Sequence, residues 1–394
     1  MSTLSQITSI SAMNLRSVPQ RLGTSLVIVI GIAGVVAVLL SVLAMATGIM
    51  KTIANTGSPT RAIVLRAGSA AEVGSSITRD QAITILDAPG VLRNAAGKPI
   101  ASAETLTLVD TPTSDGESWA NVTVRGVGAG VLELRPETRI VQGRMFKPAV
   151  HELIVGSKAH SQFKALDIGQ RIKFANGEWE VVGVFESAGD RHESEIYGDA
   201  ETLMSAVQRN TYQPVTVQLE SAESFETFKT ALTTNPTLTV DVKRESDFFA
   251  EESRPITRVL SVVAYVVGGI MAIGALFGAL NTMYSAVSAR AREIATLRAL
   301  GFGSAAVVIS VFVEALALSL IGGALGCLAA WAFFDGNVVS SSAGGLSQIV
   351  FALTLTPGLI ALGVVWACAI GLIGGLFPAV RAARLPVATA LRAV

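Results

Sequence analysis

Four long apolar runs, with a polar block of about 200 residues between the first two, set out the plan of this chain. No charged residue occurs from Leu22 to Met50 or from Val259 to Ala289, and each run exceeds the ~20 residues that cross ~30 Å of hydrocarbon as a helix. Two more runs follow, one with Glu314 as its single charge and one with none. The pattern predicts spans at 22–50, 258–289, 304–333 and 357–378, separated by a segment at 290–303 and a Ser/Gly-rich loop at 334–356. The expected fold is an α-helical four-span bundle with a large α+β domain at 51–257, outside the cytoplasm, and a cytoplasmic tail at 379–394.

Within 51–257, strand-like Ala62–Ala67, a helical pattern at Thr78–Leu86 behind a capping threonine, and strand-like Ser102–Val109 form one β-α-β unit. Val215–Leu219, Ser224–Leu232 with Ser221 as cap, and Leu238–Val242 repeat it. Two such halves are expected to share one small sheet, flanking a mostly-β insert at about 111–213. In the insert, 121–126, 139–141, 152–155, 171–174 and 179–185 read as short strands and Ser157–Ala165 as a helix. Ser246–Thr257 is helical in pattern, broken at Pro255, and reads as a stalk continuing the second span. At the N-terminus, Leu4, Ile7, Ile10 and Met13 recur every three residues, so 1–21 reads as an amphipathic helix on the cytoplasmic interface.

Composition agrees with a membrane protein: 51% of residues are hydrophobic and mean hydropathy is +0.54. Ala44-Met45-Ala46 matches a signal-cleavage pattern, but the apolar run is too long and starts too late, so the segment reads as an uncleaved anchor. Arg16 and Arg21 precede the first span, Arg290, Arg292 and Arg298 lie between the second and third, and Arg381, Arg384 and Arg392 follow the fourth. The loop between spans 3 and 4 has no Lys or Arg. The positive-inside rule therefore puts both termini and 290–303 in the cytoplasm, and the large block and the 334–356 loop outside. Eight of the 30 Lys and Arg, and three of the 30 Asp and Glu, lie outside 51–258, which leaves that block a formal charge of −5. A mildly acidic domain does not suggest a nucleic-acid partner. Cys327 and Cys368 both fall in spans, so the outer domain is expected to fold without disulfides.

Catalytic chemistry finds no foothold. There is no G-x-x-x-x-G-K-[ST] phosphate loop, and Val155-Gly156-Ser157-Lys158 lacks the first glycine. The chain is not expected to be an enzyme or to hold a metal or other cofactor. Asp190, His192, Glu193 and Glu195 crowd together beside Gly189, which reads as a solvated loop rather than a metal or acid–base site. His151 and His160 have no evident companions. Glu314, ionisable inside a span, is a functional candidate: it faces a partner helix, accepts a hydrogen bond or is neutral. Gly274/Gly278, Gly322/Gly326 and Gly371/Gly375 are three G-x-x-x-G pairs that suit close helix packing and an oligomeric bundle. At 290–303, Ile294, Leu297 and Leu300 form an apolar stripe among Arg290, Arg292, Glu293 and Arg298, and Gly301 ends the helix. An anchor needs the arginines but not the stripe, which reads as a docking helix for a cytoplasmic partner.

The run Ser288–Phe302, with Asn281-Thr282-Met283 before it and Glu314-Ala315-Leu316 through Gly326 after it, resembles the permease domain shared by FtsX, the lipoprotein-release permeases and MacB-type exporters. So do Asn14-Leu15-Arg16 and the ending Phe377-Pro378-Ala379, Arg381–Arg384 and Pro386-Val387 to Leu391-Arg392. Gly143–Phe146, Asp167–Gln170 and Val181–Val184 resemble the MacB-type periplasmic core. The resemblance implies a multi-pass permease subunit of the bacterial inner membrane, working as a homodimer with an ABC ATPase subunit that binds ATP and Mg, and touching membrane lipid. It implies that the helix of Arg290, Arg292, Glu293, Ile294, Leu297, Arg298 and Gly301 contacts the ATPase, which moves the stalks and periplasmic domains. MacB carries its ATPase fused before the first span. Here about twenty residues occupy that place, so a separate partner is expected. A periplasmic adaptor and an outer-membrane channel are further expected partners. Lipoprotein release, or FtsX-like regulation of a cell-wall hydrolase, are the alternatives to export.

Overall fold

The computed structural model of the protein describes residues 3–17, 22–114, 119–341 and 349–384. Arg21, Arg392 and the C-terminal motif from Pro386 onward lie outside the described residues. Along the chain the elements are α1 (Thr3–Ser17), α2 (Leu22–Ala54), β1 (Arg61–Arg66), α3 (Arg79–Leu86), β2 (Ala101–Ala103), β3 (Thr105–Pro112), β4 (Trp119–Val127), α4 (Val131–Leu134), β5 (Thr138–Gly143), β6 (Glu152–Gly156), α5 (Ser157–Gln162), β7 (Arg171–Phe174) and β8 (Gly177–Ser187). They continue as β9 (Ile196–Asp199), α6 (Ala200–Ala206), β10 (Val215–Gln218), α7 (Ser224–Thr233), β11 (Val240–Arg244), α8 (Glu245–Ala289), α9 (Ala291–Ala299), α10 (Ser304–Phe334), β12 (Val338–Ser341), β13 (Ile349–Ala352) and α11 (Pro357–Arg384). The chain divides into a helical unit (Met1–Thr47, Val259–Asn337, Leu353–Val394) and a mixed unit (Gly48–Arg258, Val338–Ala352).

Among the described residues, α2, α8, α10 and α11 are the helices long and apolar enough to cross a membrane. Composition alone does not say which faces pack, because these helices are apolar all round. Burial does: on α10, Ala306, Val307, Ser310, Val311, Glu314, Ala315, Leu318, Ser319, Gly322, Gly323, Gly326, Cys327 and Ala330 recur every three to four residues, the period of a helix face. The α2 residues Ile28, Val29, Ile32, Val35, Val36 and Leu40 share the core with this face, as do Ala367 and Ile370 of α11. Helix α1 lies against α10 with Ile10, Ser11 and Asn14 buried, while Met13 is 46% exposed. The apolar-stripe reading of α1 therefore needs a correction. Asn14 takes the inward position because its Nδ2 donates to Ser310 Oγ at 3.2 Å, and Gln6 Oε1 accepts from the Gly303 amide at 3.2 Å. Helix α8 runs unbroken through Pro255, although proline removes one intrahelical donor.

The mixed unit contains two sheets. The smaller has the order β11-β1-β10-β2 with every neighbouring pair antiparallel. Each β-α-β half is thus split by a strand of the other, the ferredoxin-like arrangement. Ala62, Val64, Val215, Val217 and Val242 alternate onto one face and pack on Ala82 and Ile85 of α3 and Phe225, Phe228 and Leu232 of α7. Thr78 caps α3 in a reciprocal capping box with Gln81. Ser221, expected to cap α7, instead exchanges a hydroxyl hydrogen bond with Ser224, and Glu223 holds the cap position.

The larger sheet has the order β3-β4-β9-β6-β8-β5, with β7 on β8. It is mixed, since β4–β9 and β6–β8 are parallel. Its core holds Trp179, which is stacked between His151 and Phe174 with ring centroids 4.4 and 5.1 Å away. The continuous strand expected at Ser102–Val109 is two: Ala101–Ala103 belongs to the small sheet and Thr105–Pro112 to the large one. Glu104 is the switch residue and is fully buried. Within the stretch read as a loop at 334–356, β12 and β13 form an antiparallel pair.

Candidate functional site

Helix α9 is short and sharply ended. The Gly301 amide donates to the Arg298 carbonyl and the Phe302 amide to the Leu297 carbonyl, both at 3.1 Å, the paired bonds of a Schellman stop. Gly301 sits at φ +94°, a backbone state that suits glycine. On α9, Ile294 is buried, Leu297 and Arg298 are half-buried, and Arg292, Glu293 and Leu300 are exposed. Met13 and Asn14 of α1, Glu293 and Leu297 of α9 and Ser310 of α10 line a small cleft beside it.

Arg290 also lines this cleft, but its side chain is buried. It occupies the cap position between α8 and α9, and its Nη2 donates to both carboxylate oxygens of Glu314, at 2.6 and 2.7 Å. Both side chains are at least nine-tenths buried. Of the openings left for Glu314, the structure takes the hydrogen-bonded, charge-paired one. It joins the α8–α9 corner to the buried face of α10, and an ion pair in this setting holds because neither charge has water to fall back on.

The three glycine pairs have different surroundings. A Cβ at Gly322 or Gly326 would lie 2.8 Å from the Val29 carbonyl oxygen or 2.6 Å from that of Ala33, so α2 and α10 approach through them. A Cβ at Gly375 would meet Ala315 Cβ at 2.7 Å, and Gly371 faces Ser319, which brings α11 onto α10. Gly274 and Gly278 face open space, on a helix whose Ile270, Ile273 and Phe277 are more than half exposed.

The mixed unit holds a second constellation that sequence reasoning missed. Arg125, preceded in strand β4 by Val122, Thr123 and Val124, is fully buried and uses all five of its donors on carboxylates. Nε and Nη2 donate to Glu195 at 2.7 and 3.0 Å, Nη1 and Nη2 to Glu72 at 2.9 and 3.0 Å, and Nη1 to Glu104 at 2.7 Å. Glu104 also accepts from Arg135 Nη1 at 2.7 Å, and Arg135 Nη2 reaches Glu245, the first residue of α8, at 3.3 Å. Glu245 accepts from Arg61 Nε on β1 at 2.5 Å, and Arg61 continues to Glu137. One ionic chain therefore ties both sheets to the head of α8. A charged residue between Val124 and Val127, and a glutamate between two strand runs, are the signals that could have found it.

The stretch read as a solvated loop belongs to this network. Asp190, His192, Glu193 and Glu195 are buried. Their carboxylates are bonded from inside: Glu195 by Arg125, Asp190 with the His192 ring at 2.7 Å, and Glu193 by the amides of Ser187 and Gly189 at 2.8 Å. Among the described residues no group of three His, Cys, Asp or Glu is placed to hold a metal. His160 pairs with Asp167.

Burial alone would raise the carboxyl of Glu72, but the Arg125 charge and hydrogen bonds outweigh it and hold it at about 2, against an ordinary value of 4.5. Glu104 is lowered too, with the Arg135 and Arg125 charges overcoming its burial. A carboxylate depressed in the fold contributes stability above its unfolded value and loses it as pH falls toward the folded one. The mixed unit should thus keep its stability down to about pH 4.5 and lose it progressively toward pH 2. Near-ultraviolet circular dichroism of the detergent-solubilised chain across that range would check this, and an unchanged unfolding midpoint from pH 5 to pH 2.5 would contradict it.

The MacB-like periplasmic core domain family matches residues 22–235, and the FtsX-like permease C-terminal family matches residues 265–387. Among curated relatives, an uncharacterized ABC transporter permease, YknZ, of Bacillus subtilis is 25% identical over 293 residues, covering 70% of this chain and 71% of the relative. The macrolide export ATP-binding/permease proteins MacB of Pasteurella multocida and Campylobacter jejuni are 28% and 26% identical, over 72% and 97% of this chain. The chain spans 45% and 60% of their lengths. Among solved structures, the extracellular domain of YknZ from Gram-positive bacteria is 18% identical with a TM-score of 0.36, covering 46% of this chain and 99% of that one. The periplasmic region of MacB from Actinobacillus actinomycetemcomitans is 12% identical with a TM-score of 0.37, covering 52% and 96%. With both family matches falling on one chain whose described residues include four membrane-length helices, the protein belongs to the MacB-like, FtsX-like family of ABC transporter permeases.

Proposed function

We propose that this chain is the permease subunit of a mechanotransmitting ABC transporter, which uses ATP hydrolysis by a separate ATPase to export or extract a substrate on the periplasmic side of the inner membrane. The observation that carries this reading is α8, one helix from the ionic chain at Glu245 to Ala289, a single residue before α9. A helix of 45 residues is stiff over ~68 Å, so displacement entering at α9 reaches the mixed unit without a conventional channel. The ATPase docks on the exposed side of α9, at Arg292, Glu293, Leu300 and the half-buried Leu297 and Arg298. Arg290 works from behind, by fixing α9 to α10 through Glu314. Both termini face the cytoplasm with α9, as the arginine distribution requires.

The same reading makes the transporter a homodimer. A second copy packs on the Gly274 and Gly278 face of α8, where small residues permit close helix approach in lipid. A periplasmic adaptor and an outer-membrane channel complete the export route.

Glu293→Lys and Leu297→Asp together test docking, because both residues line the cleft beside α1 and Glu293 is exposed while Leu297 is half-buried. Stimulation of the copurified ATPase should fall about tenfold or more in Glu293→Lys and in Leu297→Asp, as for a central contact of an interface, with membrane insertion unchanged. Normal stimulation in both would place the docking surface elsewhere.

A further inference from the structure

The segment Ala188–Glu195 joins β8 to β9, yet its contacts reach well beyond the large sheet. Its centre is the 3-10 turn Arg191–Ser194, capped by Asp190, whose side chain accepts from the His192 amide. Three other stretches of the mixed unit converge on it, each adjacent in the chain to a membrane-length helix.

The first is the end of α2. The Arg191 amide donates to Thr56 Oγ1 at 3.0 Å, two residues beyond the last residue of α2, and Asn55 Nδ2 donates to the Ala188 carbonyl at 3.5 Å. The second is the outer part of α8. Arg191 Nη1 donates to Glu252 at 2.6 Å, its guanidinium lies 4.9 Å from the Phe249 ring centroid, and the His192 ring meets Phe249 edge-on at 6.0 Å. The third is the strand pair between α10 and α11. Ser194 Oγ accepts from the Val350 amide at 3.0 Å and donates to the Val350 carbonyl at 3.5 Å, and both residues are buried. From the same segment, Glu195 enters the Arg125 network and so reaches both sheets.

These contacts are hard to release one at a time. Pulling Val350 off Ser194 strands a buried backbone donor, at a cost above what the bond itself is worth, and pulling Arg191 off Glu252 leaves a largely buried cation with only the longer contact to Glu195 at 3.8 Å beside it. A displacement of any one stretch is therefore passed on rather than absorbed by slip.

We propose that Ala188–Glu195 is the outer coupling segment of this permease, at which movements of α2, α8 and the α10–α11 connection are gathered and passed through Glu195 and Arg125 to both sheets. It is the outer counterpart of α9, and it rests on the mechanotransmission reading above. Ser194 and Arg191 act as positioning residues: they touch no substrate and set how the strand pair and α8 follow each other.

The test is hydrogen exchange by mass spectrometry on the full chain with its copurified ATPase, with and without ATP and vanadate. In the unmodified complex, residues 188–195, 245–256 and 349–352 should change exchange together on trapping. In Ser194→Ala, the change at 349–352 should fall to background while that at 245–256 persists. In Glu252→Gln, a mild substitution at a partly exposed side chain, the change at 188–195 and 349–352 should be lost while that at 245–256 persists. A merely structural role would raise exchange in both nucleotide states alike. If both variants respond as the unmodified complex does, the coupling segment is refuted and the mechanotransmission reading stands. If the unmodified complex shows no change in any of the three segments, both are refuted.

Discussion

Replacing Arg125 with methionine should cost the mixed unit about 3–5 kcal/mol or more, a large share of the 5–15 kcal/mol that holds a typical domain together. The reason lies less in the bonds lost than in what they leave behind. Glu72, Glu104 and Glu195 would remain buried around a neutral side chain, with Arg135 still on Glu104 and Arg191 3.8 Å from Glu195 but no bonded cation on Glu72, so the three carboxylates cannot all keep their charge away from water. Arg125→Lys should recover little, because an ammonium group offers three donors as a point charge where the site consumes five from a planar fork. Adding Glu72→Gln to Arg125→Met should restore part of the loss by removing one of the stranded charges. Thermal unfolding of the solubilised chain, read by resistance of residues 51–258 to limited proteolysis, would check the series. A stable Arg125→Met protein would mean that the carboxylates find water the structure does not suggest.

Breaking the pair inside the helical unit should be nearly as damaging. Glu314→Ala leaves Arg290 buried without a partner, Arg290→Ala does the same to Glu314, and each should destabilise the helical unit by roughly 3–5 kcal/mol. The double variant Arg290→Met with Glu314→Leu is the informative one. It replaces two desolvated charges with apolar groups of similar size, so stability in detergent should return to within about 1 kcal/mol of the original. Stimulation of the ATPase should not return, because the directional tie between the α8–α9 corner and α10 is gone. If the double variant is as unstable as the two single losses added together, the two side chains are not paired in the membrane.

The four spans were legible because a lipid-crossing helix announces itself by length and absence of charge, and the end of α9 because Gly301 falls just after a periodic stripe. The strand readings between 121 and 185 fall on β4 to β8, where hydrophobic alternation is bounded by Gly and Asn turns. What escaped was pairing at a distance. Glu314 stood out as an anomaly, but its partner lies 24 residues earlier, and only the fold-back of α9 and α10 brings Arg290 to it. Residues 190–195 were misread for the same reason: a dense run of acids beside glycine has the composition of a wet loop, and nothing local reports that Arg125, 70 residues earlier, neutralises Glu195. Glu104 was hidden because hydrophobic alternation passes through the switch between sheets without a break. The inward position of Asn14 was likewise set by Ser310, some 300 residues away.

The interleaved order of the small sheet bears on how the protein can vary. Because β1 and β11 are neighbours, with Ala62 opposite Arg244 and Arg66 opposite Val240, the chain arrives from α2 and departs into α8 at adjacent strands. The whole seven-stranded sheet is spliced in at one place, between β2 and β10. It is a removable cassette: a foreign one could be grafted there without rethreading the membrane anchors. The graft would have to bring arginines where Arg125 and Arg135 stand, since Glu72 and Glu245 belong to the recipient frame: Glu72 would otherwise lose its bonded counter-ion, and Glu245 would keep Arg61 alone.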